Sequence, residues 1–293
     1  MLLSKYLDRF KKFSLTKFKY SDINFISKLG EGATGSVYKC KINKIDYAVK
    51  IFDIENYINL DGLIDDVYNE IYISDLLKNT IYSNIFYGIS VYNKLDDVKI
   101  YLVSNYYKKS IDLRDFISNN YCRNNYILDK SDKISIIKQL IFGLEEINKC
   151  KVLHCDIKPE NVIIYKKNDS YYIKYIDFGG SCYLNSNMFD SSDYDYNFGT
   201  VGYMSKEVHN KKIYFSSEIY SLFVCILEVL VGKIWKDGIN YKNCRKEVFN
   251  SISKIENKQI KNYIKLGLSE NNTERPSIKN ISIDFINLLQ QLA

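Results

Sequence analysis

The stretch Gly30-Glu31-Gly32-Ala33-Thr34-Gly35-Ser36-Val37, "GEGATGSV", has a spelling that two unrelated folds share, and its surroundings decide between them. Glycines in the order G-x-G-x-x-G let a backbone approach phosphate oxygens without side-chain collision. In a dinucleotide-binding unit such glycines lead from a strand into a helix. Here "FISKLG" precedes them and "GSVYKCKI" follows, and both read as strands. The loop is therefore predicted to be a hairpin flap over a nucleotide. "YAVK" comes next and puts Lys50 on a third strand, where its ammonium can grip phosphates.

Outward from the flap, Asp65 to Lys78 changes to helical spacing through Val67, Ile71, Ser74 and Leu77, opened by acidic residues that suit a helix N-terminus. Strand patterns return at Ile89 to Tyr92 and Val98 to Val103. The first hundred residues thus predict a small sheet carrying one helix. Beyond Asn105 helices dominate. Ser131 or Asp132 can cap a helix with the apolar face Ile134, Ile137, Ile141, Leu144 and Ile147. "NVIIYKKNDSYYIKYIDF" reads as two short strands around a turn, leaving Asp177 at a strand end. Ser217 to Val231 is apolar on nearly every side and predicts a buried helix. Helical segments at about Arg245 to Lys265 and Ile278 to Leu292 complete an α+β chain, a strand-rich lobe followed by a helical one with a cleft between them.

At 293 residues and 46% hydrophobic content the chain can bury a real core. Its two prolines, Pro159 and Pro276, and the lack of a Gly/Ser-rich tract leave no linker to mark an internal boundary. A net charge of +6, spread along the chain, does not indicate a dedicated nucleic-acid binder. Seven cysteines without C-x-x-C spacing argue against a disulfide framework or a zinc site and fit a reducing, cytoplasmic compartment. No apolar run has transmembrane length. The opening "MLLSKYLDRFKKF" places Leu3, Leu7 and Phe10 at helical spacing among cations, and it is expected to form, within an amphipathic extension over residues 1–22, a short helix packed on the body, with a membrane-surface helix as the alternative.

The octet "HCDIKPEN", His154 to Asn161, gathers a proton acceptor (Asp156), a fixed cation (Lys158) and a neutral oxygen donor for a hard metal (Asn161). With Gly30, Gly32, Gly35 and Lys50 before it and "DFG" at Asp177 to Gly179 after it, the chain resembles the eukaryotic-type protein kinases. The "DIKPEN" spelling looks like the serine/threonine branch. The resemblance implies a bilobal catalytic domain over 23–293, with a small lobe at about 23–104 and a large lobe at about 105–293.

It also implies roles residue by residue. Lys50 would hold the α- and β-phosphates and pair with Glu70. Asp156 would accept or orient the proton of the attacking hydroxyl, and Lys158 would stabilise the transferred group. Asn161 and Asp177 would bind Mg²⁺, for which Mn²⁺ could substitute. Gly30, Glu31, Gly32, Ala33, Gly35, Val37, Ala48, Ser104 and Tyr106 would surround ATP. Partners would be proteins offering Ser/Thr hydroxyls, the chain itself included, with Tyr194 and Tyr196 as further acceptors. Nothing fixes an oligomeric state.

Three departures stand out. Ser205-Lys206-Glu207 replaces the family's Ala-Pro-Glu, with Arg275 as the expected partner of Glu207; Glu218 stands for the usual aspartate; Cys155 stands for an arginine that would receive a phosphate. The last predicts activity independent of phosphorylation at Ser191, Ser192 or Thr200. Cys155 and Cys182 are expected to be packing residues rather than redox sensors. Alternatives are a pseudokinase or ATP-binding scaffold, and a small-molecule kinase.

Overall fold

In the computed structural model the described residues are 7–32, 35–94, 97–122, 128–185, 188–190, 198–234 and 241–291. The chain divides into two compact units, Met1–Asn79 with Asn84–Lys108, and Thr80–Ser83 with Lys109–Ala293. Thr80–Ser83 joins the second unit, away from the sequence neighbours on either side, because its backbone is bonded there. The Glu146 carboxylate accepts from the N–H groups of Ile81 (2.8 Å) and Tyr82 (3.2 Å), and Tyr175 N–H donates to the Tyr82 carbonyl at 2.7 Å.

The first unit is a six-stranded sheet in the order β1-β5-β6-β4-β3-β2 with one long helix. Its strands are β1 (Thr16–Lys17), β2 (Asn24–Gly32), β3 (Gly35–Ile42), β4 (Ile45–Asp53), β5 (Phe86–Lys94) and β6 (Asp97–Asn105), and the helix is α1 (Leu60–Leu76). The flap is an antiparallel hairpin, with Gly30 opposite Val37 and Gly32 opposite Gly35. Alternation along β4 sends Val49 to a cluster with Cys40, Ile42 and Val103. It sends Lys50 and Phe52 to the other face, where Phe52 packs with Leu63, Ile64, Val67 and Ile71 of α1. α1 starts at Leu60, five residues before the predicted Asp65, because the Asn59 side chain caps it by accepting the Gly62 N–H at 3.0 Å.

The helix expected at the N-terminus falls largely outside the described residues. Leu3 is among the residues not described; Leu7 is helical, and beyond it come a 3-10 turn, Asp8–Phe10, and β1, which pairs parallel with β5. So short a segment gains little from helical hydrogen bonds. Burial holds it instead: Phe10 is 6% exposed inside the α1 cluster, with Leu7, Phe13 and Leu15 packed around it.

The second unit is mainly helical: α2 (Leu113–Cys122), α3 (Lys130–Lys149), α4 (Lys206–His209), α5 (Phe215–Val231), α6 (Tyr241–Ser253) and α7 (Lys258–Gly267). A last stretch opens as α8 (Ile278–Asn280), widens into a π-turn over Ile281–Phe285 and ends as α9 (Ile286–Gln290). Asp129, rather than Ser131 or Asp132, caps α3, because its carboxylate reaches forward to the Asp132 N–H at 2.7 Å. The segment predicted over Arg245 to Lys265 is two helices, since Asn257 accepts from the N–H groups of Gln259 and Ile260 and starts α7 afresh. α5 is the buried centre, with Leu222 to Leu227 fully covered. α7 meets it at Gly267, where a Cβ would stand 2.3 Å from the Phe223 ring.

Five short strands frame the octet His154 to Asn161: β7 (Ile111–Asp112), β8 (Val152–Leu153), β9 (Val162–Lys167), β10 (Ser170–Tyr175) and β11 (Cys182–Tyr183). β9 pairs with β7 and β10, and β11 with β8. Among the described residues no helix is long and apolar enough to cross a membrane.

Candidate active site

In the first unit, β4 places Lys50 opposite Val37 on one side and Leu102 on the other. Its ammonium is hydrogen-bonded to Glu70 of α1, with the two side chains 6% and 1% exposed. A buried pair of this kind is justified only by good geometry, since both charges have left water. Ala48, two residues earlier and also buried, sits across from Ser104. The Ser104 hydroxyl donates to the Ala48 carbonyl at 3.3 Å. The Tyr106 ring lies under the Lys39 ammonium at 4.7 Å, and Glu31 is exposed on the flap with Lys28 at 2.7 Å. Ala33 lies outside the described residues. Gly35 has no alternative: an added Cβ would be 2.1 Å from the Ile51 carbonyl oxygen. Gly35→Ala is therefore expected to open the hairpin and raise KM for ATP more than it lowers kcat; unchanged KM in steady-state kinetics would refute this.

In the second unit, β8 ends just before the octet, and a 3-10 turn at Pro159–Asn161 folds it back toward its own start. The Asp156 carboxylate becomes its hub. Oδ1 accepts from the Thr200 hydroxyl at 2.7 Å. Oδ2 meets the Lys158 ammonium at 2.9 Å and the Asn161 amide nitrogen at 3.0 Å. Lys158 also donates to the Thr200 oxygen at 2.8 Å. A hydroxyl, a cation and an amide thus converge on one carboxylate.

Asn161 gives its amide nitrogen to the Asp156 backbone carbonyl as well, at 2.8 Å, so the amide oxygen is the end turned away from Asp156. Asp177 follows β10 at φ +62°, a left-handed conformation. An amide oxygen and a carboxylate suit a hard cation that takes one or two protein ligands and completes its shell with phosphate oxygens and water. The donor set therefore fits Mg²⁺ or Mn²⁺. His154 is wholly buried, and burial keeps its ring neutral despite Asp156 and Asp177 nearby. Its Nε2–H donates to the Ile176 carbonyl at 3.0 Å, a brace between the octet and the strand before Asp177.

A family model described as protein kinase domain matches residues 23–293. The chain belongs to the protein kinase family. Relatives of this kinase among curated proteins include a probable serine/threonine-protein kinase, fnkE, of Dictyostelium discoideum, 28% identical over 91% of the chain. They also include the serine/threonine-protein kinase PSK1 of Saccharomyces cerevisiae, 31% identical over 65%, and shk1/pak1 of Schizosaccharomyces pombe, 26% identical over 72%. The kinase chain spans 20%, 14% and 29% of those three proteins, respectively.

The kinase's departures from the family pattern find physical answers. Glu218 of α5 uses its extra methylene to reach under the octet, where Oε1 accepts from the N–H groups of His154 (2.5 Å) and Cys155 (3.0 Å), and Oε2 from Asn148 (3.0 Å). Burial pushes its carboxyl up to about 7, against the pull of these donors. The folded chain thus keeps a proton that the unfolded chain has released. Stability should fall as pH rises from about 4.5 to about 7, by about 1.4 kcal/mol per unit, and level off above. Glu218→Gln should remove that slope. Urea unfolding of both proteins at about pH 5 and about pH 8 checks it, and parallel losses would refute the assignment.

The Glu207–Arg275 pair forms as expected. The guanidinium is bidentate, Nη1 to Oε1 at 2.5 Å and Nη2 to Oε2 at 3.1 Å, and Arg275 also donates to the carbonyls of Ser216 and Ser269. Burial acts to raise the Glu207 carboxyl, but the Arg275 bonds and charge outweigh it and hold the group below its ordinary value. Cys155 stands at φ +66°, its sulfur 3.6 Å from that of Cys182. That contact and burial push the Cys155 thiol well up, so it stays protonated and unreactive. Ser191, Ser192, Tyr194 and Tyr196 lie outside the described residues.

One cluster was missed by sequence reasoning. Arg114 of α2 donates to both oxygens of the fully buried Glu228 of α5 (2.7 and 3.0 Å) and to Glu160 of the octet (2.9 Å). Tyr203 also donates to Glu228, at 2.7 Å. No local pattern announces partners so far apart in sequence.

Proposed function

We propose that the chain transfers the γ-phosphoryl group of metal-bound ATP to serine and threonine hydroxyls of proteins, itself included. The observation that carries this reading is the Thr200 hydroxyl on Asp156 Oδ1 at 2.7 Å, with the Lys158 ammonium donating to the Thr200 hydroxyl oxygen at 2.8 Å. An alcohol already occupies the place where an acceptor alcohol would surrender its proton. Phosphoryl transfer asks chiefly for positioning and charge neutralisation. Asp156 orients the hydroxyl and takes its proton; Lys158 offsets charge on the oxygen and the phosphoryl group. Asn161 and Asp177 would hold Mg²⁺ or Mn²⁺, which when bound neutralises the phosphates. Lys50, aligned by Glu70, would hold the α- and β-phosphates. Gly30, Glu31, Gly32, Ala33, Gly35 and Val37 would cover the nucleotide, with Ala48, Ser104 and Tyr106 around its base. A reducing, cytoplasmic setting agrees with the free thiols, among the described residues, of Cys40, Cys150, Cys155, Cys182 and Cys225.

The test is transfer from γ-labelled ATP with Mg²⁺ to a basic protein and to the chain, followed by phosphoamino-acid analysis. Label on serine or threonine is expected. Label only on small alcohols would move the reading to a small-molecule kinase. No transfer, with ATP still raising the melting temperature, would make the chain an ATP-binding scaffold.

A further inference from the structure

α1 carries Glu70, and the Lys50–Glu70 pair is buried, so small displacements of the helix decide whether Lys50 is held. What fixes α1 along its length is partly the sheet and partly a segment that the kinase reading leaves without a role. Arg9 Nη1 bonds Asp65 Oδ1 of α1 at 2.8 Å, and its guanidinium stands 4.8 Å from the Tyr68 ring. The Lys12 ammonium is hydrogen-bonded to the Tyr68 hydroxyl and lies 4.9 Å from the same ring. Phe13 meets Tyr68 edge-on at 5.6 Å between centroids. Phe10 is buried with Leu63, Ile64, Val67 and Ile71. Asp65 and Tyr68 project from α1 roughly half a turn around its axis from Glu70. The far end of the segment is fixed as well, since β1 pairs with β5 and Phe18 N–H donates to the Ile89 carbonyl at 2.9 Å.

We propose that residues 7–17 are a built-in clamp, anchored on the sheet at one end and gripping α1 through Arg9, Lys12 and Phe13 at the other, that positions Glu70 for Lys50. The proposal rests on the kinase reading, because only phosphate handling gives the pair its purpose. Arg9, Lys12 and Phe13 are positioning residues that touch neither nucleotide nor acceptor. They act by keeping α1 in the competent place for a larger fraction of the time, and apparent affinity falls in proportion to that fraction.

The experiment compares the full chain with Arg9→Ala/Lys12→Ala/Phe13→Ala, which leaves Phe10 in the core, and with the conservative Arg9→Lys/Lys12→Arg. Hydrogen exchange is followed peptide by peptide, and kcat and KM for ATP are measured on a basic-protein substrate. Loss of the clamp should speed exchange in Leu60–Leu76 selectively and lower kcat/KM by about tenfold if competent α1 drops to a tenth. The conservative variant should restore both. Unchanged exchange in α1 overturns the clamp whatever the activity. Faster exchange with kcat/KM unchanged overturns its link to Glu70. A wild-type chain that transfers no phosphate overturns the kinase reading instead, and α1 exchange still decides the clamp by itself.

Discussion

Asp156→Ala is expected to lower kcat by about 10²- to 10⁴-fold, the range for a positioned acid–base group, while ATP affinity stays within about twofold. The asymmetry follows from where the carboxylate points. Its partners are Thr200, Lys158 and the Asn161 amide nitrogen, the groups that would surround the acceptor hydroxyl in the proposed reaction. On the proposed reaction, removing it would deprive the alcohol of its orientation and its proton acceptor, and it takes from Lys158 the carboxylate it pairs with at 2.9 Å. Asp156→Asn should be almost as damaging, since the amide keeps the shape and loses the basicity. Single-turnover transfer with labelled ATP, beside a direct ATP-binding measurement, separates the two quantities. A variant that keeps more than a tenth of wild-type kcat would mean that another group takes the proton.

Arg275→Met is expected to cost about 3–5 kcal/mol of stability, the usual consequence of stranding one member of a buried pair. The Arg275 side chain is wholly covered and that of Glu207 is 14% exposed, so water cannot replace the lost donor well. The substitution also strips donors from the Ser216 and Ser269 carbonyls. In a chain of this size the melting temperature should drop by on the order of 10 °C. Arg275→Met/Glu207→Leu should recover part of the loss, because the stranded charge goes with its partner. The pair's contribution has a pH signature of opposite sign to that of Glu218. Glu207 is held below its ordinary value of 4.5, so the stabilisation is present above that pH and fades as pH falls through the folded value. A double-mutant cycle by thermal unfolding, repeated at about pH 3 and about pH 7, checks these statements, and an Arg275→Met protein within about 1 kcal/mol of wild type at the higher pH would refute them.

The parts of the candidate site that lie close together in sequence were legible because their spacing carries their geometry. "GEGATGSV" between two strand patterns predicts a hairpin, and the hairpin is there with Gly32 opposite Gly35. "HCDIKPEN" needs only one tight turn to bring Asp156, Lys158 and Asn161 to one point. The pairing of Lys50 with Glu70 was implied by the family resemblance, since spacing alone does not join a strand lysine to one particular acid of the next helix. The misses share another cause, since a side chain's partner, unlike its periodicity, leaves no trace in its neighbours. Asn59 and Asp129 outcompeted the expected helix starts through single hydrogen bonds. Beyond Leu7, docking on α1, a tertiary term, shapes the chain into a 3-10 turn and a strand that no spacing announces. Arg114, Tyr203 and Glu228 met only when three separate segments had folded.

The backbone at Cys155 leaves a mark on which letters that position can accept. With φ at +66°, an L-residue there carries strain of about 1–2 kcal/mol, least for glycine and asparagine and greatest for β-branched side chains. Glu218 fixes the same peptide by accepting its N–H, so the chain cannot relax by rotating away. In a saturation library selected for a folded chain, valine, isoleucine and threonine should therefore vanish from position 155 before bulkier unbranched residues do, a ranking by backbone angle and not by size or polarity.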